Sequence, residues 1–235
     1  MFTHIGPAPQ DNTLVVLSGG LDSATVLALA KLNTRKDLCA ISFDYGQKHI
    51  RELEGIEALC DYYEVNRQFT RSITALAELP GLQKKDNPTG LSPVPGMLLP
   101  DTWKPGRNMV FLAIAFSYAY TLGCSVVAMG AHQEDFPGYP DCRELFLESM
   151  EHTAQLALAS PIALWVPLLY FDKPGIVSLG TRLKVPYELT WSCYSPVGDK
   201  ACGKCDACIR RWKAFQSNKQ LDPIPYDVIP SEEAK

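Results

Sequence analysis

The chain has 235 residues, with 22 Lys and Arg against 26 Asp and Glu for a formal net charge of −4, and 46% hydrophobic against 20% charged residues. That balance excludes a disordered, collagen-like or fibrous chain, and the length buries a sizeable core as one large domain or one with a small appendage. Mild acidity without a basic run argues against a protein that holds nucleic acid mainly through its phosphates.

The opening MFTHIGPAPQDN has no basic start followed by an apolar stretch, so the expectation is a cytoplasmic protein without a signal peptide. Thr13 to Leu17 (TLVVL) is an apolar, β-branched run ending at Ser18-Gly19-Gly20 and reads as a buried strand. Asp22 to Leu32 reads as a helix with Val26, Leu29 and Ala30 on one face. Leu38 to Phe43 is a second strand. Ile50, Leu53, Ile56, Leu59, Cys60 and Tyr63 recur at helical steps, and Asn66 to Thr70 is a weaker third strand. From about Ser72 to Gly106 six prolines leave little regular structure.

A helix follows from Asn108 to Leu122; its apolar run, Met109 to Tyr120, is far shorter than the roughly twenty residues a membrane span needs. Ser125 to Met129 is a fourth strand, Arg143 to Leu158 a helix and Leu164 to Pro167 a short strand. Asp172 is placed to cap a helix reaching Arg182, with Pro174 in its first turn. A cysteine-rich segment, a short helix through Phe215 and a polar tail from Asn218 to Lys235, expected to lie loosely on the surface, complete the chain. Alternating strands and helices imply an α/β fold with an open, doubly wound, mostly parallel sheet. The division expected is an α/β domain over 1–186, carrying the Pro-rich insertion at about 72–106, then a cysteine segment with its helix over 187–217 and a tail over 218–235.

Cys39, Cys60, Cys124 and Cys142 are scattered and read as small buried hydrophobes. Cys193, Cys202, Cys205 and Cys208 are separated by eight, two and two residues, with Gly198 and Gly203 allowing tight turns. That spacing suits one structural Zn2+ held by four thiolates, with no position left open for water. A disulfide is the weaker reading in a reducing compartment, and an iron–sulfur cluster is the rival metal. Lys204, Arg210, Arg211 and Lys213 are placed to offset the charge of such a centre.

Ligands of open α/β sheets bind beyond the carboxyl ends of the strands, which points to the loop Ser18 to Ser23. Its two glycines let the backbone approach an anion, and the next helix offers unpaired N–H groups and a positive dipole end. Asp22 would repel phosphate unless a cation intervenes, so it is read as a Mg2+ partner, direct or through water. No Lys follows the glycines as in a Walker A loop, and G-x-G-x-x-G is missing.

SGGLDS after a first strand resembles the signature of the PP-loop ATP pyrophosphatase superfamily, whose sheet is adenine nucleotide alpha hydrolase-like. Three further stretches narrow this: FDYGQKH (Phe43 to His49), PGRNMVFLAIA (Pro105 to Ala115) and DFPGYPDCRELF (Asp135 to Phe146). With SCY and CGKCDAC they make the region from about Leu14 to Phe215 resemble the 7-cyano-7-deazaguanine synthase family of the queuosine pathway. Lys104 stands where that family leads one to expect an apolar residue and Pro137 where it leads one to expect Ser, and the Pro-rich stretch matches poorly.

The resemblance implies an ATP-dependent carbon–nitrogen ligase that turns 7-carboxy-7-deazaguanine and ammonia into the nitrile through adenylated acid and amide intermediates, as a homodimer. It implies ATP with Mg2+ at Leu17, Ser18, Gly19, Gly20, Leu21, Asp22, Ser23, Ala24, Thr25, Val26 and Leu27, with Lys173 a further phosphate candidate. Asp22, Ser23 and Arg107 are the catalytic candidates. Asn108, Asp135, Tyr139, Asp141 and Arg143 are the substrate candidates: a carboxylate of Asp135 or Asp141 can accept from a guanine-like edge, and Tyr139 or Phe136 can stack on its ring. Asp141 reads equally as a helix cap. Cys142 is read as packing rather than a reactive thiol, and His49 and His132 as structural hydrogen-bonders. The alternatives carried are a PP-loop tRNA-modifying enzyme such as a thiolase, a zinc-bearing nucleotide-binding scaffold, and a relative that stops at the amide.

Overall fold

A computed structural model of the chain describes residues 11–46, 50–78 and 103–231. Five strands, β1 (Thr13–Val16), β2 (Leu38–Asp44), β3 (Arg67–Ser72), β4 (Val126–Ala128) and β5 (Ala163–Trp165), form one sheet in the order β3-β2-β1-β4-β5. Every pairing is parallel; Leu14 stands opposite Cys39 on one side and Val127 on the other. The helices are α1 (Leu21–Asn33), α2 (Ile50–Tyr62), α3 (Thr74–Glu78), α4 (Arg107–Leu122), α5 (Glu144–Leu158), α6 (Lys173–Arg182) and α7 (Asp206–Ser217).

The period of two along each strand splits the core. Val15, Ala40, Val126, Ala128 and Trp165 pack on α1, α2, α6 and α7 through Leu27, Ile56, Ile176 and Phe215. Leu14, Cys39, Ile41, Val127 and Leu164 pack on α4 and α5 through Leu112, Phe116 and Leu147. Strands covered on both faces are what near-continuous apolar runs demand. Asp172 caps α6 as expected, accepting from Gly175 N at 2.8 Å. Cys39, Cys60, Cys124 and Cys142 are all buried. Among the described residues no helix is long and apolar enough to cross a membrane.

Three expectations change. The described part of the tail, residues 218–231, does not lie loosely on the surface. Asp222 makes a two-point ion pair with Arg211, each side chain 1% exposed, and Ile224 packs into the cysteine segment's own core. A polar stretch with three prolines reads as loose because sequence pattern cannot supply the partner that buries it. Arg211 accordingly faces Asp222 rather than the cysteines, while Arg210 pairs with Asp206 on its own helix. Of the Pro-rich insertion, Ser72 closes β3 and Thr74–Glu78 forms α3; residues 79–102 lie outside the described residues, as does His49.

The strand order reverses between β1 and β4, so the crevice at their carboxyl ends is the position a ligand takes in such a sheet.

Candidate functional site

β1 runs straight into the glycine loop. Leu17 is still bonded to the sheet (Leu17 N to Ile41 O, 2.9 Å), Ser18 is exposed, and Gly19 takes φ +76°, a conformation that costs glycine little. Gly20 is the N-cap of α1 and no side chain caps it. The first intrahelical bond comes from Ala24 N to Gly20 O, leaving the N–H groups of Leu21, Asp22 and Ser23 without intrahelical partners. The loop is held in shape from within: Ser23 Oγ accepts from Ser18 N at 3.2 Å, lies 3.2 Å from the Gly20 carbonyl to which it donates, and is 3.0 Å from Ser18 Oγ. It is held from outside by Gly130, past the end of β4, where an added Cβ would come within 3.1 Å of Ser23 N. Leu17, Leu21, Ala24, Thr25, Val26 and Leu27 are buried in the core, so of the predicted nucleotide-binding run their side chains serve as scaffold. The backbone of Ser18 to Ser23 is the part that lies at the crevice end.

Asp22 does not stand alone. Both its oxygens are 2.7 Å from Nζ of Lys173, at the start of α6 beyond β5. The same ammonium is 3.0 Å from Nε2 of His132, four residues past β4, and Asp135 Oδ2 is 3.4 Å from that nitrogen. Glu134 accepts from Lys173 N at 2.7 Å and so fixes the helix start. Burial on its own would raise the Asp22 carboxyl; Lys173, with His132 beside it, outweighs this and holds it below the ordinary 3.8. Asp135 goes the other way: burial and the charge of Asp22 lift it, against the pull of His132 and Lys173. Lys173 is thus joined to the loop. His132, read from sequence as a structural hydrogen-bonder, sits inside the cluster. The signal that finds it is its place just beyond a central strand, the same rule that found the loop.

A second group lies at the start of α4. Arg107 spans two aromatic rings, 5.7 Å from the Tyr45 centroid and 5.8 Å from that of Tyr139. Burial pulls its pKa down; Tyr45, Tyr139, Asp141 and Cys142 outweigh that, and the net shift is upward. Asp141 is buried and accepts from Asn108 N at 2.9 Å. It is therefore a cap, as one reading had it, but of α4 rather than of the helix that follows it in sequence. Asn108 is buried as well, and its amide donates to the Asp141 carbonyl and to Cys142 Sγ. Arg143 is exposed and donates to the Phe136 carbonyl. Asp141 and Asn108 brace the 135–143 loop against α4, and Arg143 braces the loop within itself. Cys142 is a packing residue, its thiol raised well above the ordinary value by burial first.

The four clustered cysteines converge. Their sulfurs all lie within 4.8 Å of one another, Cys205 is half-buried and the other three are buried. Backbone N–H groups of Ser195 and Cys202 aim at Cys193 Sγ, and those of Lys204 and Cys205 at Cys202 Sγ, the polar shell a thiolate centre needs. Gly203 holds φ +73°, and a Cβ there would collide with the Val228 carbonyl. Cys205 is pushed down to about 5, chiefly by its hydrogen bond with Cys208. A tetrahedral ion with bonds of about 2.3 Å to sulfur fits four such donors.

This segment also braces the glycine loop after β1. Trp191 N donates to Gly19 O at 2.9 Å, and the Tyr187 hydroxyl is 3.0 Å from Thr25 Oγ1. Arg211 ties the two together, donating to the Tyr187 carbonyl, to Thr190 Oγ1 and to Asp222. A cleft of about 270 Å³ opens beside Trp191, bordered by Glu54, Gly55, Leu189 and Pro225.

A family model described as "Queuosine biosynthesis protein QueC" matches residues 12–219. A Picrophilus torridus protein named 7-cyano-7-deazaguanine synthase is 43% identical over 92% of this chain and 91% of its own. Proteins of the same name from Thermoplasma volcanium (43% identical, 92% of this chain and 91% of its own) and Oceanobacillus iheyensis (40% identical, 91% and 97%) are similar over comparable spans.

Proposed function

The chain belongs to the queuosine biosynthesis protein QueC family, and on that premise we propose that it converts 7-carboxy-7-deazaguanine and ammonia to 7-cyano-7-deazaguanine at the expense of ATP. The observation that carries the reading is the convergence of the Ser18–Ser23 loop, Asp22 and Lys173 at the reversal between β1 and β4 in a chain with relatives of that name.

A carboxylate is a poor electrophile and its oxygen a poor leaving group. Attack of that oxygen on the α-phosphorus of ATP breaks the bond to pyrophosphate and cures both defects. The ammonia lone pair then attacks the carbonyl carbon, AMP departs, a proton is lost and the amide forms. A second adenylation, at the amide oxygen, lets AMP leave again as two protons are shed and the C≡N bond closes. No covalent bond to the enzyme is needed, so the chain's work is placement and charge compensation. The N–H groups at the start of α1 that lie outside the helix's own ladder and the Lys173 ammonium receive the departing pyrophosphate. Arg107, between Tyr45 and Tyr139, is placed to meet the substrate carboxylate beside a flat ring. Asp135, with its raised pKa, is placed to accept a proton.

The four-cysteine centre suits Zn2+ in a structural role, since four protein ligands leave no open position. Mg2+ is expected with ATP, but a divalent ion on Asp22 does not fit while Lys173 holds both its oxygens. The homodimer and the cytoplasmic location remain part of this proposal.

One incubation tests it: purified protein, ATP, Mg2+, ammonium and 7-carboxy-7-deazaguanine, analysed by mass spectrometry. Nitrile with AMP and pyrophosphate is the expected result. Unchanged acid, or ADP as the sole nucleotide product, overturns it, and amide as the end product assigns the chain to a relative that stops halfway.

A further inference from the structure

We infer that Lys173 is a tethered ammonium standing where a divalent cation would otherwise bind Asp22, that His132 is the positioning residue that aims it, and that a divalent ion enters only in company with the triphosphate. An ammonium has three N–H donors and no lone pair. Here all three are matched: two by the oxygens of Asp22 at 2.7 Å and one by Nε2 of His132 at 3.0 Å. The lysine is only 15% exposed and its backbone is pinned by Glu134, so this is a built position rather than a solvated arm.

The state of His132 follows from that of Lys173. Because the ammonium can only donate, Nε2 must accept, and the ring proton lies on Nδ1. That Nδ1 is buried and has no hydrogen-bond partner among the described residues, an arrangement that costs free energy. The other tautomer would point a second donor at the ammonium. The contact of Nε2 with Nζ holds the ammonium over Asp22.

The donors around Nζ are ones a divalent ion could also use. Asp22 Oδ2 and Asp135 Oδ2 lie 3.8 and 3.4 Å from His132 Nε2. Without the lysine, both oxygens of Asp22 and the His132 imidazole would face a single point, a mixed oxygen and nitrogen set that Mn2+ accepts. With the lysine present, its charge repels a divalent ion and its hydrogen bonds occupy the oxygens of Asp22. A triphosphate seated on Ser18 to Ser23 changes the balance, because its oxygens compete with Asp22 for the ammonium and bring their own ion. This step rests on the ATP reading above; the exclusion of metal from the free protein does not.

The test is Mn2+ uptake by the zinc-loaded, full-length protein without nucleotide, read from the electron paramagnetic resonance signal of free Mn2+. Wild type is expected to leave that signal unchanged until a non-hydrolysable ATP analogue is added. Lys173→Met is expected to bind one Mn2+ per chain at least about tenfold more tightly than wild type, and Lys173→Met with Asp22→Asn to lose it. His132→Gln, which keeps an acceptor, should still exclude Mn2+, whereas His132→Leu should admit it in part. Wild type binding Mn2+ without nucleotide, and losing it in Asp22→Asn, overturns the proposal whatever the variants do. So does a folded Lys173→Met that binds no better than wild type. Equal exclusion in both His132 variants removes that residue's role. A failed nitrile assay would overturn the reaction and leave these outcomes standing, so the two readings fail separately.

Discussion

The cysteine centre and the Asp22 cluster are both compact groups of polar side chains, yet they are assembled in opposite ways. All four cysteines come from one stretch of sixteen residues, Cys193 to Cys208, and backbone N–H groups of the same stretch complete the shell. The Asp22 cluster draws on the loop after β1, the loop after β4 and the start of α6, and its tightest pair is separated by 151 residues. A centre built locally can be a stabilising plug. A centre built across the sheet reports on the whole fold, and its members can be re-paired by a ligand. The two are joined through Trp191, Tyr187 and Arg211, so the plug also braces the loop.

The contrast breaks most sharply at the cysteines. Cys205→Ala should lose the metal and a large part of a binding energy that in small zinc domains is about 10–16 kcal/mol, seen as lost zinc content and a markedly lower melting temperature. Unchanged values of both would make the centre dispensable. Arg211→Met comes next: it strands Asp222 at 1% exposure and should cost about 3–5 kcal/mol, whereas adding Asp222→Leu should recover most of it. Zinc content should survive in both variants, which denaturant melts with metal analysis would check.

At the other centre, Asp22→Ala should leave the fold intact and lower kcat by about 10²–10³-fold, the range seen when one preorganised electrostatic group is removed. A normal rate would take Asp22 out of the chemistry. The smallest effect is one of pH. The Asp22 carboxyl is held below its unfolded value of 3.8, so its pairing contributes fully above that pH and fades as pH falls through the lower folded value. The stability difference between wild type and Asp22→Asn should therefore be flat at neutral pH and shrink in acid. A difference that grows on acidification would contradict the pairing.

What sequence shows of each centre follows from how it is built. The cysteine spacing and the SGGLDS loop are legible because consecutive residues are tied by backbone geometry, whatever the rest of the chain does. The same holds for the Asp172 cap and for the strands with two apolar faces. Asp141 shows where this stops. Its type announces a cap, but the helix it caps begins at Arg107, brought alongside by packing of α4 on α5. His132 offers only its place just past a strand, and Asp222 carries no local pattern that separates a buried partner from an ordinary polar residue.

The alternation of apolar runs, the glycine turn after β1 and the spacing of the four clustered cysteines were thus determined by the sequence alone, because each is a matter of neighbours along the backbone. The partner of Asp22, the place of His132, the helix that Asp141 caps and the burial of the tail against Arg211 were decided only by tertiary structure. They depend on strand order, and β1 lies between β2 and β4 because of how distant apolar faces pack, which no short window of residues encodes.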